Sequence, residues 1–305
     1  MPRPFSDDDL DAAAGFLAGR HARHRAAEPL LPAEIDFRAE VESLWRRPGA
    51  SGAVSDDGFL LGAPREDPVW GPNVWVELAG HAVEQPEAVR DLYALAAQRW
   101  VDEGHPRHYV IVPAHDAGLL EAWYRLSFGQ QHATGIGEVP EDAAWPEGVR
   151  EATEDDLETL IALDPLLADH HARSPVFGRG PQETEEELRE ELLEDLASPD
   201  SVDLLAEVDG RVVGAFHVTK AEKSSMHSGL ARPLGAAYLA WAATIPEVRG
   251  AGAGLRLTEA TFAWARRRGH DVIVTDWRVT NLLSSRFWPA RGFRTTFLRL
   301  YRSIP

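Results

Sequence analysis

Two stretches of this chain begin alike, and that internal repeat limits what the chain can fold into more than any other feature. Arg3-Pro-Phe-Ser6-Asp-Asp8-Asp9-Leu10 resembles Arg150-Glu-Ala-Thr153-Glu-Asp155-Asp156-Leu157. In each, Ser6 or Thr153 can cap an amphipathic helix whose positive first turn then carries acids. His21-Ala-Arg23 echoes His171-Ala-Arg173. Gly104-His105 before Tyr109–Val112 matches Gly269-His270 before Val272–Thr275, and Trp123–Phe128 matches Trp288–Phe293 at a spacing of 165 residues. Two copies of one domain, 1–145 and 146–305, joined near Pro140–Gly148, explain these matches with one assumption. The length of 305 residues agrees, being about twice the ~150 residues of a usual domain.

Each copy reads helix, helix, strands, helix, strand, helix, strand, an α+β order with a mixed sheet flanked by helices. In the second copy the first helix is expected over Thr153–Leu167. Thr184-Glu-Glu-Glu187 is a capping box that opens another, with Leu188, Leu192 and Leu196 on one face. Asp203–Glu207 and Arg211–Thr219 read as strands turned by Asp209-Gly210. Ala236–Ile245 is an apolar strand ended by Pro246, Gly254–Arg268 a helix, Asp271–Asp276 a strand, Leu282–Arg291 a helix and Arg294–Arg302 a last strand. Glu222–Leu234 has no clear period and is expected as loop.

Charge narrows the function. There are 31 basic and 49 acidic residues, a net charge of −18, which argues against nucleic acid or an anionic membrane as partner and favours a cationic one. The acidity is uneven, with 12 basic against 25 acidic residues in 1–147 and 19 against 24 in 148–305. The acid run Glu183–Asp195 is read as a solvated helix face. Without any Cys, disulfides, thiolate nucleophiles and zinc ribbons are excluded. No apolar run is long enough to span a membrane, and the opening MPRPFSDDDL is acidic where a secretory leader is not. A cytoplasmic protein is expected. His170-His171-Ala-Arg173 looks like a metal-ligand cluster, but adjacent His side chains diverge and no third ligand lies near in sequence, so no metal is expected.

The sharpest local signal is Thr244-Ile-Pro-Glu-Val-Arg249-Gly250-Ala251-Gly252-Ala253-Gly254, between the apolar strand and an amphipathic helix. Small residues let main-chain N–H groups approach a bulky anion, the helix adds its positive end, and Arg249 adds a formal charge. No Gly-Lys-Ser/Thr follows, so this is not a Walker loop. Asp276 lies 22 residues past Gly254, near the ribose-binding distance of a dinucleotide fold, but hairpin strands precede the loop, which such a fold does not have.

Here the second copy resembles the GNAT superfamily of acetyl-coenzyme A-dependent N-acetyltransferases, over residues 150–302 or so. The family's pyrophosphate signature, Arg or Gln, two residues, Gly, one residue, Gly or Ala, is met by Arg249, Gly252 and Gly254. Its downstream signature is met by Asn281, the aromatic pair Phe287-Trp288 and Gly292-Phe293. The resemblance implies that the main chain of Ala242 and Thr244 pairs with pantetheine, that the amides from Arg249 through Gly250, Ala251, Gly252 and Ala253 to Gly254 hold the pyrophosphate, and that Asn281 lines the far side of the pantetheine arm. Arg256, Arg286 and Arg291 are candidates for the 3′-phosphate.

Two departures bear on the chemistry. Where many members carry a Tyr general acid this chain has Trp288, whose indole donates a hydrogen bond but cannot supply a proton to a departing thiolate. The strand Ala236–Ile245 also lacks the frequent Glu base, and its only phenol is Tyr238. Asp276 is then the acidic candidate for base or ammonium anchor, with Tyr238 the candidate acid. His217, Trp288 and His171 are expected to line the acceptor pocket.

In register with Arg249–Gly254, the first copy reads Glu84-Gln-Pro-Glu-Ala-Val89, with no Gly and two carboxylates where pyrophosphate would sit, and Asp116 stands where Asn281 stands. Coenzyme binding is therefore expected only in the second copy. The expected activity is transfer of acetyl from acetyl-coenzyme A to a primary, cationic small-molecule amine by direct attack, in a monomer (a pseudo-dimer of copies) or homodimer. The alternatives are a non-catalytic acyl-coenzyme A sensor or scaffold, and acetylation of a protein or antibiotic amine.

Overall fold

The structure is a computed structural model of the chain and describes residues 1–65, 70–178 and 184–305. Glu183, at the start of the acid run, lies outside the described residues. The chain forms two compact units, one of residues 1–133, 229–231 and 295–305, the other of 134–228 and 232–294.

In the first unit the elements are β1 (Arg3–Pro4), α1 (Leu10–Ala27), α2 (Phe37–Trp45), β2 (Ser51–Ser55), β3 (Gly58–Gly62), β4 (Asn73–Val76), β5 (His81–Val83), α3 (Ala88–Asp102), β6 (Arg107–Pro113) and α4 (Ala117–Tyr124). One sheet has the order β1-β2-β3-β5, while β4 runs parallel to β6. Phe5, Leu17, Leu31, Phe59 and Leu61 form its core. β7 (Gly129–Glu138) lies across the change of unit.

The second unit holds β8 (Val149–Glu151), α5 (Leu157–Leu163), α6 (Pro165–His171), α7 (Glu185–Ala197), β9 (Val202–Val208), β10 (Arg211–Lys220), β11 (Ala237–Thr244), α8 (Ala253–Arg267), β12 (Val272–Arg278) and α9 (Ser284–Phe287). Its strands lie in the order β12-β11-β10-β9-β8, with β11 and β12 parallel and the others antiparallel. Leu160, Leu163, Leu205 and Ala215 are buried together, and Leu192 and Leu196 pack on them from α7, as the four-residue spacing implied.

The repeat has a chemical reason. Arg3 grips both oxygens of Asp9, and Arg150 grips both of Asp156 at 2.7 Å. The amides of Ser6 and Thr153 each donate to the same carboxylate at 2.9 Å. The guanidinium of Arg150 holds the Asp156 carboxyl down at about 2. The motif thus ties the start of each copy to its first helix, and the Arg is as much a part of it as the cap.

Two helices are shorter than their periodicity predicts, each because of a proline. The helix expected over Thr153–Leu167 is split into α5 and α6 at Pro165, which has no N–H to continue the ladder and instead starts a new helix. The helix expected over Leu282–Arg291 is only α9, followed by a tight turn at Pro289–Arg291. A short helical turn at Ala221–Lys223 leads into the loop expected over Glu222–Leu234, and a second lies within it at Gly229–Ala231.

Membership of the units differs from a cut at residues 145–146. The last strand, β13 (Arg294–Ser303), pairs antiparallel with β6, from Phe297 opposite Pro113 to Ser303 opposite Arg107. Residues of β7, at the equivalent place in the first copy, enter the second unit: a Cβ at Gly135 would stand 2.5 Å from the Trp277 ring, and the Val139 amide donates to Asp271 O. The first unit takes β13 from Thr295 on, and the second takes β7 from Thr134 on. Alternating hydrophobicity identifies a strand, but partner choice is a tertiary matter that it does not encode.

Candidate functional site

The second unit contains a break in its sheet. Ala237, Tyr238 and Leu239 of β11 pair with Ile273, Val274 and Thr275 of β12, and the Thr275 hydroxyl donates to Leu239 O at 3.0 Å. Beyond these three pairs the strands splay. A bulge sits at that point: Val218 faces Leu239 and His217 faces Trp241, so Ala240 has no partner on β10. Further along, the Ile245 amide donates to Val213 O at 2.9 Å. Since main-chain groups alternate along an antiparallel ladder, those of Thr244 and Ala242 face away from β10, toward the gap.

The glycine loop follows directly. Gly250 and Gly252 both have φ 87°, and an added Cβ at either would meet nothing within 4 Å. The left-handed Gly252 is the N-cap of α8, whose first internal bond is the Arg256 amide to Gly252 O at 3.0 Å. Among the described residues the amides of Gly250, Gly252, Ala253, Gly254 and Leu255 donate to no main-chain carbonyl. Arg249 is exposed and pairs with no carboxylate among the described residues. This is a concave row of N–H donors at the positive end of a fifteen-residue helix, open to solvent, and an anion is its natural complement.

At the start of the gap the two titratable candidates meet. The Tyr238 phenol donates to Asp276 Oδ1 at 2.8 Å. Burial, then the Asp276 charge, then that hydrogen bond push the phenol far above its ordinary value. Ser224 works the other way, favouring the ionised phenol. Its hydroxyl bonds His227 Nδ1 at 2.9 Å, and the buried His227 ring is 5.4 Å from that of Tyr238. Ser224 and His227 belong to the stretch without a period, so no sequence signal marked them.

The family profile described as "Acetyltransferase (GNAT) family" matches residues 166–293, which contain the splayed strands, the loop and α8. Residues 166–293 form a GNAT acetyltransferase domain. Acyl transfer is the general chemistry of that family. Over the whole chain, the structure is similar to a GCN5-related N-acetyltransferase from Sphaerobacter thermophilus, with 15% identity, TM-score 0.62, and 99% of this chain and 95% of that one covered. It is similar also to a tandem GNAT protein from the clavulanic acid biosynthesis pathway, with 14% identity, TM-score 0.50, and 99% and 98% covered. A third likeness is to a GCN5-related glucosamine N-acetyltransferase region in a fungal multi-domain GH3 β-N-acetylglucosaminidase, with 14% identity, TM-score 0.55, and 99% and 38% covered. At these identities the likeness is one of fold, and the fold is that of tandem GNAT proteins. No curated protein sequence matches the chain.

The other expected residues of the GNAT domain are placed as follows. Asn281 is 4% exposed. Its Oδ1 accepts from the amides of Leu283 (3.1 Å) and Ser284 and from His170 Nε2 (3.0 Å), while its Nδ2 meets His171 Nε2 at 3.3 Å. It therefore opens α9 and ties that turn to the end of α6. His217 lies between two carboxylates, Nδ1 at 3.0 Å from Asp203 and Nε2 at 3.5 Å from Asp195. Burial opposes its charge, but the Asp203 hydrogen bond and both acids leave its pKa raised. Trp288 is only 5% exposed and packs against Phe216, Phe287 and Phe293, in an aromatic core and not on an open wall. Arg256 has Nε and Nη2 buried without a partner among the described residues, whereas Arg286 is exposed. An open groove of about 680 Å³, floored by Leu163, Leu166, Val212 and Ile245, borders Pro246 where the chain turns toward the loop. Among the described residues no group of three or more metal-ligating side chains occurs, and no helix is long and apolar enough to cross a membrane.

Proposed function

We propose that the second unit transfers the acetyl group of acetyl-coenzyme A to a primary amine, by direct attack of the amine within a ternary complex. The observation that carries this reading is the set of amides of Gly250, Gly252, Ala253, Gly254 and Leu255 that donate to no main-chain carbonyl among the described residues, close in sequence to the main-chain edge of Ala242 and Thr244. A pyrophosphate needs several N–H donors and space, and the positive-φ glycines supply both. The exposed strand edge suits the amides of a pantetheine arm, Arg249 adds charge, and one amide hydrogen of Asn281 is left to face that arm. Ala251, Ala253 and Gly254 keep the approach clear. The coenzyme brings the activated thioester; this chain positions it and handles the acceptor.

Asp276, the first residue of β12 beyond its last pair with β11, is the anchor for an ammonium and the base that receives its proton. Tyr238, held protonated by burial and by Asp276, fixes that carboxylate by donating to it. It acts as a positioning residue. The net charge of −18 favours a cationic small molecule as acceptor. A cytoplasmic protein, monomeric or homodimeric, is the setting we infer.

The test is a calorimetric titration with acetyl-coenzyme A and a thiol-release assay over an amine panel. One site per chain is expected. Asp276→Asn should lower turnover roughly 10²–10⁴-fold, the usual range for acid–base catalysis, with coenzyme affinity unchanged. A silent Asp276→Asn beside an inactive Tyr238→Phe would move the proton path to the phenol. Coenzyme binding without thiol release from any amine would make the protein an acyl-coenzyme A sensor.

A further inference from the structure

Two segments border the strand end that carries Asp276. One is Arg173–Gly178, after α6; the other is Asn281–Ser284, before α9. They are joined: the Gly178 amide donates to His171 O at 2.9 Å, His171 meets Asn281, and Asn281 accepts from Leu283. A Cβ at Gly178 would stand 3.8 Å from the guanidinium carbon of Arg278, two residues past Asp276.

This rim is unusually apolar for a surface. Among the described residues nine large hydrophobic side chains are exposed, and three of them lie here: Phe177 at 76%, Leu282 at 48% and Leu283 at 49%. Scattered single residues of this kind need no explanation, but a cluster beside a charged site does. Phe177 also has φ 48°, an unfavourable conformation for a bulky residue, in a turn where its amide and that of Val176 donate to Arg173 O at 3.0 Å. The turn holds the ring out in water.

We propose that Phe177, Leu282 and Leu283 form an apolar collar for the body of the acceptor, so that the preferred substrates are primary amines on an alkyl or aryl group and not polyhydroxylated aminosugars. The inference rests on the transferase reading for the identity of the occupant. The two chemistries are complementary: the ammonium goes to Asp276 and the hydrocarbon covers the collar. A sugar ring would place hydroxyls against three side chains that offer no hydrogen bond, losing water without replacement.

The experiment measures kcat/KM by thiol release for n-alkylamines from ethylamine to octylamine, phenethylamine and glucosamine. Each methylene covered should raise kcat/KM about 3–4-fold, and glucosamine should fall below all the longer amines. In the triple variant Phe177→Ala, Leu282→Ser, Leu283→Ser, the dependence on chain length should flatten. Glucosamine outrunning octylamine, or a chain-length dependence that survives in the triple variant, would overturn the collar. Calorimetric binding of octylamine is a second readout that needs no turnover. It should weaken at least tenfold in the triple variant, and equal binding to both proteins would again overturn the proposal. Octylamine binding that depends on the collar, in a protein that acetylates nothing, would remove the transferase reading and leave the collar standing.

Discussion

Helices α3 and α8 hold the same place in the two copies, 165 residues apart, and their first turns are built differently. Among the described residues the amides at the start of α8 donate to no main-chain carbonyl. Those at the start of α3 are spent: Ala88, Val89 and Arg90 donate to the carbonyls of Gln85, Pro86 and Glu87. The Glu87 carboxylate is in turn held by Arg90 and Arg125. The strands tell the same story. In the first unit β4 pairs with β6 while β5 leaves it for β3, and the chain itself fills the divergence. Arg20 of α1, 2% exposed, donates to Leu78 O and His81 O, and the His81 ring donates from Nε2 to Ile111 O at 3.0 Å. A splayed pair of strands leaves main-chain groups to be satisfied, by the protein's own side chains or by a ligand. The first unit has taken one course and the second leaves the other open.

Acid should separate the two units most strongly. Burial depresses His24 and His81 to about 3 and His108 to about 4, all in the first unit. Unfolded, each takes up a proton near 6.5, so between that value and about 4 the unfolded chain binds more protons and stability falls as the pH falls. The three together set a slope on the order of 4 kcal/mol per pH unit at most. His217 in the second unit has the opposite sign: its raised pKa adds stability in full below about 6.5, lost as the pH rises through the folded value. Hydrogen exchange resolved along the chain checks this. Protection in α1 and β6 should drop on acidification, and protection at the end of α7 should drop on the alkaline side. Loss of both together at one pH would erase the distinction.

Removing the internal filler is the next largest test. Arg20→Met leaves two buried carbonyls without donors and should destabilise the protein by about 3–5 kcal/mol in chemical denaturation. It should not create a second coenzyme site, because the α3 amides remain bonded. A folded Arg20→Met that binds two equivalents would mean that Arg20 alone separates the two clefts. The smallest effect is the most direct exchange. Arg249→Glu gives the second unit the residue that the first has at Glu84, at an exposed position where folding is not at stake. Acetyl-coenzyme A should then bind about 10–100-fold more weakly, through loss of a charge-assisted bond and gain of repulsion. Unchanged affinity would show that the amides suffice and that the charge at this position does not distinguish the copies.

Much of this was readable along the chain because it is local. Thr184 and Glu187 form the reciprocal cap their spacing announces, and Gly250 and Gly252 adopt the conformation for which glycine is suited. Pro165 and Pro289 show the cost of weighing apolar periodicity above a missing N–H. Contacts made by folding were not readable. Tyr238 and Asp276 were each visible as chemistry, yet their hydrogen bond spans 38 residues of chain. The burial of Trp288 against Phe216, the two histidines held by Asn281 and the approach of Gly178 to Arg278 likewise follow from how distant elements come together, which no window of sequence contains.

The exchanged last strands bear on how such a chain is inherited. A gene fragment encoding residues 146–305 would lack the 134–145 segment of its own unit and carry 295–305 for a unit that is absent. A break in the Pro140–Gly148 link would leave each fragment holding a strand that belongs to the other's sheet. Neither copy is a removable module. The second unit is completed by residues 134–145, which precede its own copy, and the first by 295–305, so the exchange at the strand ends ties the inheritance of each half to the other.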